Sequence, residues 1–192
     1  MCIRDRDDRA LDLAIDTATN NGIVVTGYIT PNPGSPGQTK MYVVNLDMGG
    51  NIIADRQLTN FSASAGTNVI YSWITRTWTV GGFYADLGNT VPLVDNEAIL
   101  VEFDLGLNLV NYCQISTAEI THSSINDIVE IPGDGYFITG TVGIPWGFPN
   151  YALQGVLAAK IDYAYTTVTN LSFESTNSRH QGVSAVYEAS TD

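Results

Sequence analysis

Three segments of this chain line up at a fixed spacing, and that spacing limits the possible folds more than any other feature. Asp47, Asp104 and Asp162 stand 57 and 58 residues apart. Gly27, Gly82 and Gly140 stand 55 and 58 apart. Each glycine follows an apolar run: Gly22-Ile23-Val24-Val25-Thr26, Thr79-Val80-Gly81, and Gly135-Tyr136-Phe137-Ile138-Thr139. Each aspartate closes a second one: Met41 to Leu46, Ala98 to Phe103, Val156 to Ile161. Two independent landmarks with one period indicate an internal repeat, whose units bury their faces against each other.

Each unit reads as four strands. The first is half-polar (Leu11 to Ile15, Val69 to Ile74, Ile125 to Val129). The second ends at the anchor glycine and the third at the anchor aspartate. Both are almost continuously apolar, as strands covered on both faces are. The fourth mixes polar and apolar residues (Ile52 to Leu58, Leu109 to Ile115, Val168 to Phe173), as an outer edge strand does. Asp47, Asp104 and Asp162, with Gly27, Gly82 and Gly140, are assigned as turn residues. Asp accepts a backbone N–H two residues on, and Gly supplies positive φ.

Repeated units of four short antiparallel strands with buried central strands predict an all-β, partial β-propeller. Its parts are a blade over 7–60, a second over 66–117, a third over 123–175 and the first strand of a fourth over 180–192. Long connections between second and third strands (Thr30 to Lys40, Tyr84 to Glu97, Val142 to Gln154) extend the period beyond that of common blade families.

The run Gly135-Tyr136-Phe137-Ile138-Thr139-Gly140, followed by a strand ending Lys160-Ile161-Asp162, resembles the blades of secreted bacterial β-propeller repeat proteins of the Bacteroidetes type. Asn45 and Glu102 stand where the third unit has Lys160. The resemblance implies a secreted or cell-surface location and a chain cut at both ends, whose remaining blades are its partners. Met1-Cys2-Ile3-Arg4-Asp5-Arg6 resembles translated sequencing-adapter sequence, as found at the edge of a metagenomic assembly, and is expected to be a non-native leader. Without it Cys113 is the lone cysteine, expected to be a buried small hydrophobe rather than a reactive thiol.

Charge and motifs exclude several functions. A net charge of −12 repels phosphate backbones, so no nucleic acid partner is expected. No apolar run reaches the roughly 18 residues of a membrane helix. No Walker loop, GxSxG, HExxH, CxxC pair or Asp-box is present. No cofactor is implied. Asp16-Thr17-Ala18-Thr19-Asn20-Asn21-Gly22 resembles a calcium loop only faintly, since its glycine is not at the sixth position and no glutamate closes it.

Candidate ligand-binding residues lie in or beside the long connections: Tyr84, Asp86, Trp146 and Tyr151, where aromatics can stack on a sugar or peptide. His122 and His180, 58 apart, are candidates for a central channel, with Ala65 at the matching place in the unit before. The leading expectation is a non-catalytic binding or scaffold propeller presenting these connections to a glycan, peptide or partner domain. The alternatives are a fragment of a propeller enzyme, a hydrolase or lyase with its catalytic residues on missing blades or in the channel, and a structural spacer.

Overall fold

A computed structural model describes residues 8–16, 22–30, 39–61, 63–85, 96–115, 122–143, 155–166, 168–173 and 184–186. Among them every regular element is a strand. β1 (Arg9–Ile15), β2 (Ile23–Ile29), β3 (Lys40–Leu46) and β4 (Ile52–Gln57) form the first sheet. β5 (Ala63–Ser72), β6 (Thr77–Ala85), β7 (Asn96–Phe103) and β8 (Leu109–Ile115) form the second. β9 (His122–Ile131), β10 (Gly135–Gly143), β11 (Gly155–Ile161) and β12 (Val168–Phe173) form the third. Each is an antiparallel meander. A single parallel bridge, Asn96 to His122, makes the backbone ladder continuous between the second and third sheets.

The sheets pack face to face in chain order. We call the face turned toward the preceding sheet leading and the opposite face trailing. Val24, Met41 and Val43 on the first sheet's trailing face pack against Val69, Trp78, Val80, Val101 and Phe103. Ala98, Leu100, Cys113 and Ile115 on the second sheet's trailing face pack against Ile128, Tyr136, Ile138 and Ile161. Apolar residues on both faces of β6 and β7 thus have a partner sheet on each side, which is why those strands lack polar alternation.

Every first strand carries a bulge at the same place. Register shifts between Ala10 and Asp12, between Gly66 and Asn68, and opposite Thr139 and Gly140. The anchor glycines sit across from it. A Cβ on Gly27, Gly82 or Gly140 would lie 1.9 Å from the carbonyl oxygen of Arg9, Ala65 or Ser124 respectively. The glycines are therefore interior strand residues, not turn residues: β2, β6 and β10 continue past them to Ile29, Ala85 and Gly143. The bulge drives a carbonyl into the space a side chain would need.

The aspartates do form turns. Asp47 Oδ1 accepts from the N–H of Gly49 and of Asn51, both at 2.8 Å, while Oδ2 accepts from Asn51 Nδ2 at 2.8 Å. Asp104 repeats this with Gly106 N, Asn108 N and Asn108 Nδ2 at 2.9, 2.8 and 2.9 Å. Asp162 takes the N–H and hydroxyl of Thr166 at 2.8 and 2.9 Å. Donation from the asparagine side chain, and then from backbone N–H groups, holds the Asp47 and Asp104 carboxyls below the usual range.

Strand boundaries differ from the sequence expectation in two ways. β5 and β9 begin at Ala63 and His122, before the expected unit starts, because the bulge lets pairing continue across Gly66 and Ile125. Trp73 and Ile74 belong to the β5–β6 turn, not to the strand. Arg76 turns the chain with φ 58°, and its N–H donates to Ser72 O at 2.9 Å. Apolar periodicity cannot register a turn built from apolar residues.

Candidate binding surface

The long connections leave one end of the sheets, next to the cross-strand pairs Ile29–Lys40, Ala85–Asn96 and Val142–Gly155. Buried serines tie neighbouring sheets together at this end. Ser64 Oγ accepts from Met41 N at 2.9 Å, and Ser123 Oγ accepts from Ala98 N at 2.8 Å. A second latch works at the bulge. Asp12 Oδ2 accepts from Asn68 Nδ2 (2.9 Å) and Val69 N (2.8 Å) of the next sheet. Asp127 Oδ2 accepts from Ser184 Oγ (2.8 Å) and Ala185 N (2.7 Å). Residues 184–186 thus meet the third sheet as Asn68 and Val69 meet the first. The rest of the expected fourth-unit strand lies outside the described residues.

Of the candidate ligand-binding residues, Tyr84 is described, and it is core: 6% exposed, with its hydroxyl donating to Glu97 Oε2 at 2.5 Å. β6 and β7 extend into the expected connection through the Tyr84–Glu97 pair, which draws the ring inward. Asp86, Trp146 and Tyr151 lie outside the described residues. His180 does too. His122 opens β9, and its side chain is outside the described set. Its structural counterpart is Ala63 rather than Ala65, since Ser64 and Ser123 make equivalent bonds and Ala65 aligns with Ser124. Counting back by the period misplaces the match because the spacing is 59 residues in this part of the repeat.

The sequence reading missed an aromatic group where the first and second sheets meet. Phe61 packs against Tyr84 at a tilt, with centroids 4.6 Å apart, and meets Tyr112 edge-on at 6.1 Å. Leu58, Asn60, Val101 and Leu109 surround Phe61 and Tyr112. Lys40 Nζ donates to Phe61 O, and burial of that amine lowers its pKa. A second aromatic run passes from the core to the other end: Trp78 to Tyr71 at 5.0 Å, then Tyr71 to Trp73 at 5.2 Å. Trp73 is half-exposed, and Glu130 fixes its turn by accepting from Ser72 Oγ and Trp73 N. No spacing signal marks either group; both arise where separate units meet.

Several of the ionisable groups described are bonded within the fold. Buried Glu102 accepts from Thr77 Oγ1 at 2.7 Å. Lys160 pairs with Asp134. Burial raises the Cys113 thiol, which leaves it a poor nucleophile. Among the described residues no three His, Cys, Asp or Glu side chains are grouped to hold a metal ion, and no helix is long and apolar enough to cross a membrane. Asp16 and Gly22, the two described residues of the segment from Asp16 to Gly22, are both buried.

No protein-family model matches the chain, and no curated protein matches its sequence.

Proposed function

We propose that the chain is a non-catalytic binding or scaffold part of a propeller-type repeat protein, secreted or displayed at a bacterial surface. In this reading the long connections reach toward a glycan, a peptide or a partner domain. The observation that carries it is the common origin of the three connections. They leave one end of sheets locked together by serine and aspartate bonds, so the scaffold holds them at fixed separations. Preorganisation of this kind lowers the entropy cost of binding. The commitment of Asp47, Asp104, Asp162 and Glu102 to internal hydrogen bonds supports a structural role for these acids.

Binding to a panel of immobilised neutral and acidic glycans tests the reading. Retention of at least one glycan class is expected, with about tenfold weaker binding for Trp146→Ala and Tyr151→Ala, as loss of one stacked ring costs about 1.4 kcal/mol. The glycan form of the proposal fails if no glycan is retained, or if both variants bind as wild type does.

A further inference from the structure

We infer that the leading face of the first sheet joins two copies of the chain, each copy packing this face on the same face of the other. This inference goes beyond the binding role proposed above.

The face is built to be covered. Two rows of residues cross its four strands: Ile15, Ile23, Leu46 and Ile52 in one, and Leu13, Val25, Val44 and Asp55 in the next. An antiparallel sheet that faces water alternates polar with apolar residues. In these rows the outward residues of β2 and β3 are all aliphatic. The second sheet has Trp78 with Phe103, and the third Tyr136 with Ile161, where the first has Ile23 with Leu46. Those four are at most 1% exposed, each under the sheet before. In the first sheet Leu13 is 57% and Ile52 65% exposed, while Ile23, Val25, Val44 and Leu46 are half-buried. Asp55, the one charge in these rows, accepts from the Tyr42 hydroxyl at 2.7 Å. It lies on the outer strand β4, where its carboxylate stays in water.

Among the described residues every other sheet face is already met. The first and second sheets cover each other, as do the second and third. On the third sheet's trailing face, Ser184 and Ala185 hold on Asp127 the place that Asn68 and Val69 hold on Asp12. A second copy therefore offers its own open leading face, and contact of a face with itself closes at two. Two apolar sheets packed at about −30° interdigitate such rows. The face spans three strands of seven residues and one of six. At about 4.8 Å between strands and about 3.3 Å per residue it covers roughly 450 Å², or about 900 Å² for the pair. That is below the roughly 1,200 Å² of permanent interfaces, so the dimer is weak, with a dissociation constant of about 100 μM. The net charge of −12 on each copy opposes it, and salt is expected to promote it.

Sedimentation velocity of the full chain at rising concentration, in low and in high salt, tests this. The weight-average mass is expected to rise from 20.7 kDa and to level off at twice that value. Leu13→Lys and Ile52→Lys each place a charge on both copies at once, so each is expected to weaken the dimer about tenfold or more. Val156→Lys, on the trailing face of the third sheet, is expected to dimerise as the wild type does. All three sites are at least partly exposed, and circular dichroism and unfolding midpoints confirm that each variant folds. A wild type that stays monomeric across the range overturns the inference and leaves the face to an unlike partner. A mass that climbs past twice the monomer overturns it too. So do Leu13→Lys and Ile52→Lys variants that dimerise as well as the wild type, or a Val156→Lys variant that does not dimerise.

Discussion

The leading faces of the second and third sheets are closed, and the equivalent face of the first is open. The difference is sharpest after the anchor aspartates. Gly50, Leu107 and Tyr165 occupy one position in the three turns, all with positive φ, at 82°, 60° and 59°. Leu107 and Tyr165 are non-glycine residues in a conformation that costs roughly 1–2 kcal/mol. They keep it because their side chains are buried between sheets, at 1% and 7% exposure. Burial also pushes the Tyr165 phenol far up. Where no sheet covers the face, glycine stands instead, and a Cβ there would meet nothing within 4 Å. At this turn position the strained conformation is kept by a side chain whose packing offsets it, and glycine takes the place where there is nothing to pack against.

Phe103→Ala and Leu46→Ala give the largest contrast between the closed and open faces. Phe103 is fully buried and pairs with Trp78, whereas Leu46 pairs with Ile23 at the matching place on the half-exposed face. Phe103→Ala is expected to cost about 3–5 kcal/mol in urea unfolding, and Leu46→Ala about 1 kcal/mol. Equal losses would erase the distinction between the faces.

Gly27→Ala, Gly82→Ala and Gly140→Ala probe what the sheets share. The same 1.9 Å encounter with a carbonyl oxygen in each sheet predicts similar losses of about 2–3 kcal/mol, read from unfolding midpoints. A loss confined to the covered sheets would tie the bulge to packing rather than to the strand itself.

At the strained position the two directions of exchange differ. Leu107→Gly is expected to destabilise by about 2 kcal/mol, since lost burial exceeds the relief of strain. Gly50→Leu is expected to cost only about 1 kcal/mol, all of it strain. A stabilising Leu107→Gly would show that the side chain contributes less than the backbone cost.

The smallest effect concerns the turns, where open and closed sheets are alike. The Asp47 and Asp104 carboxyls are both held low, chiefly by Asn51 and Asn108. A lowered folded value means the contribution is complete above the ordinary Asp pKa of about 3.9. It is lost as pH falls through the lower folded value. Titration by NMR should place both carboxyls below the usual range, and Asn51→Ala and Asn108→Ala should raise them. An unmoved Asp47 in Asn51→Ala would remove the parallel between the sheets.

Much of the architecture was legible in the residues because the determinants were local. Alternation and apolar runs marked the strands, and Asp followed by Gly and Asn marked the turns. The aromatic groups were less legible. Tyr84 looked like a loop aromatic because sequence cannot show that β6 and β7 extend to pair it with Glu97. Phe61, Tyr112 and Trp73 went unmarked because they meet their neighbours only across units.

By itself the sequence determined a repeat of four strands, its period and its aspartate turns, since each depends on residues near one another in the chain. Only the tertiary structure decided why the repeated glycines are glycine, because the atom that excludes a side chain belongs to a neighbouring strand. Only it showed which of three equivalent faces is open, because burial belongs to the pair of sheets and not to either alone.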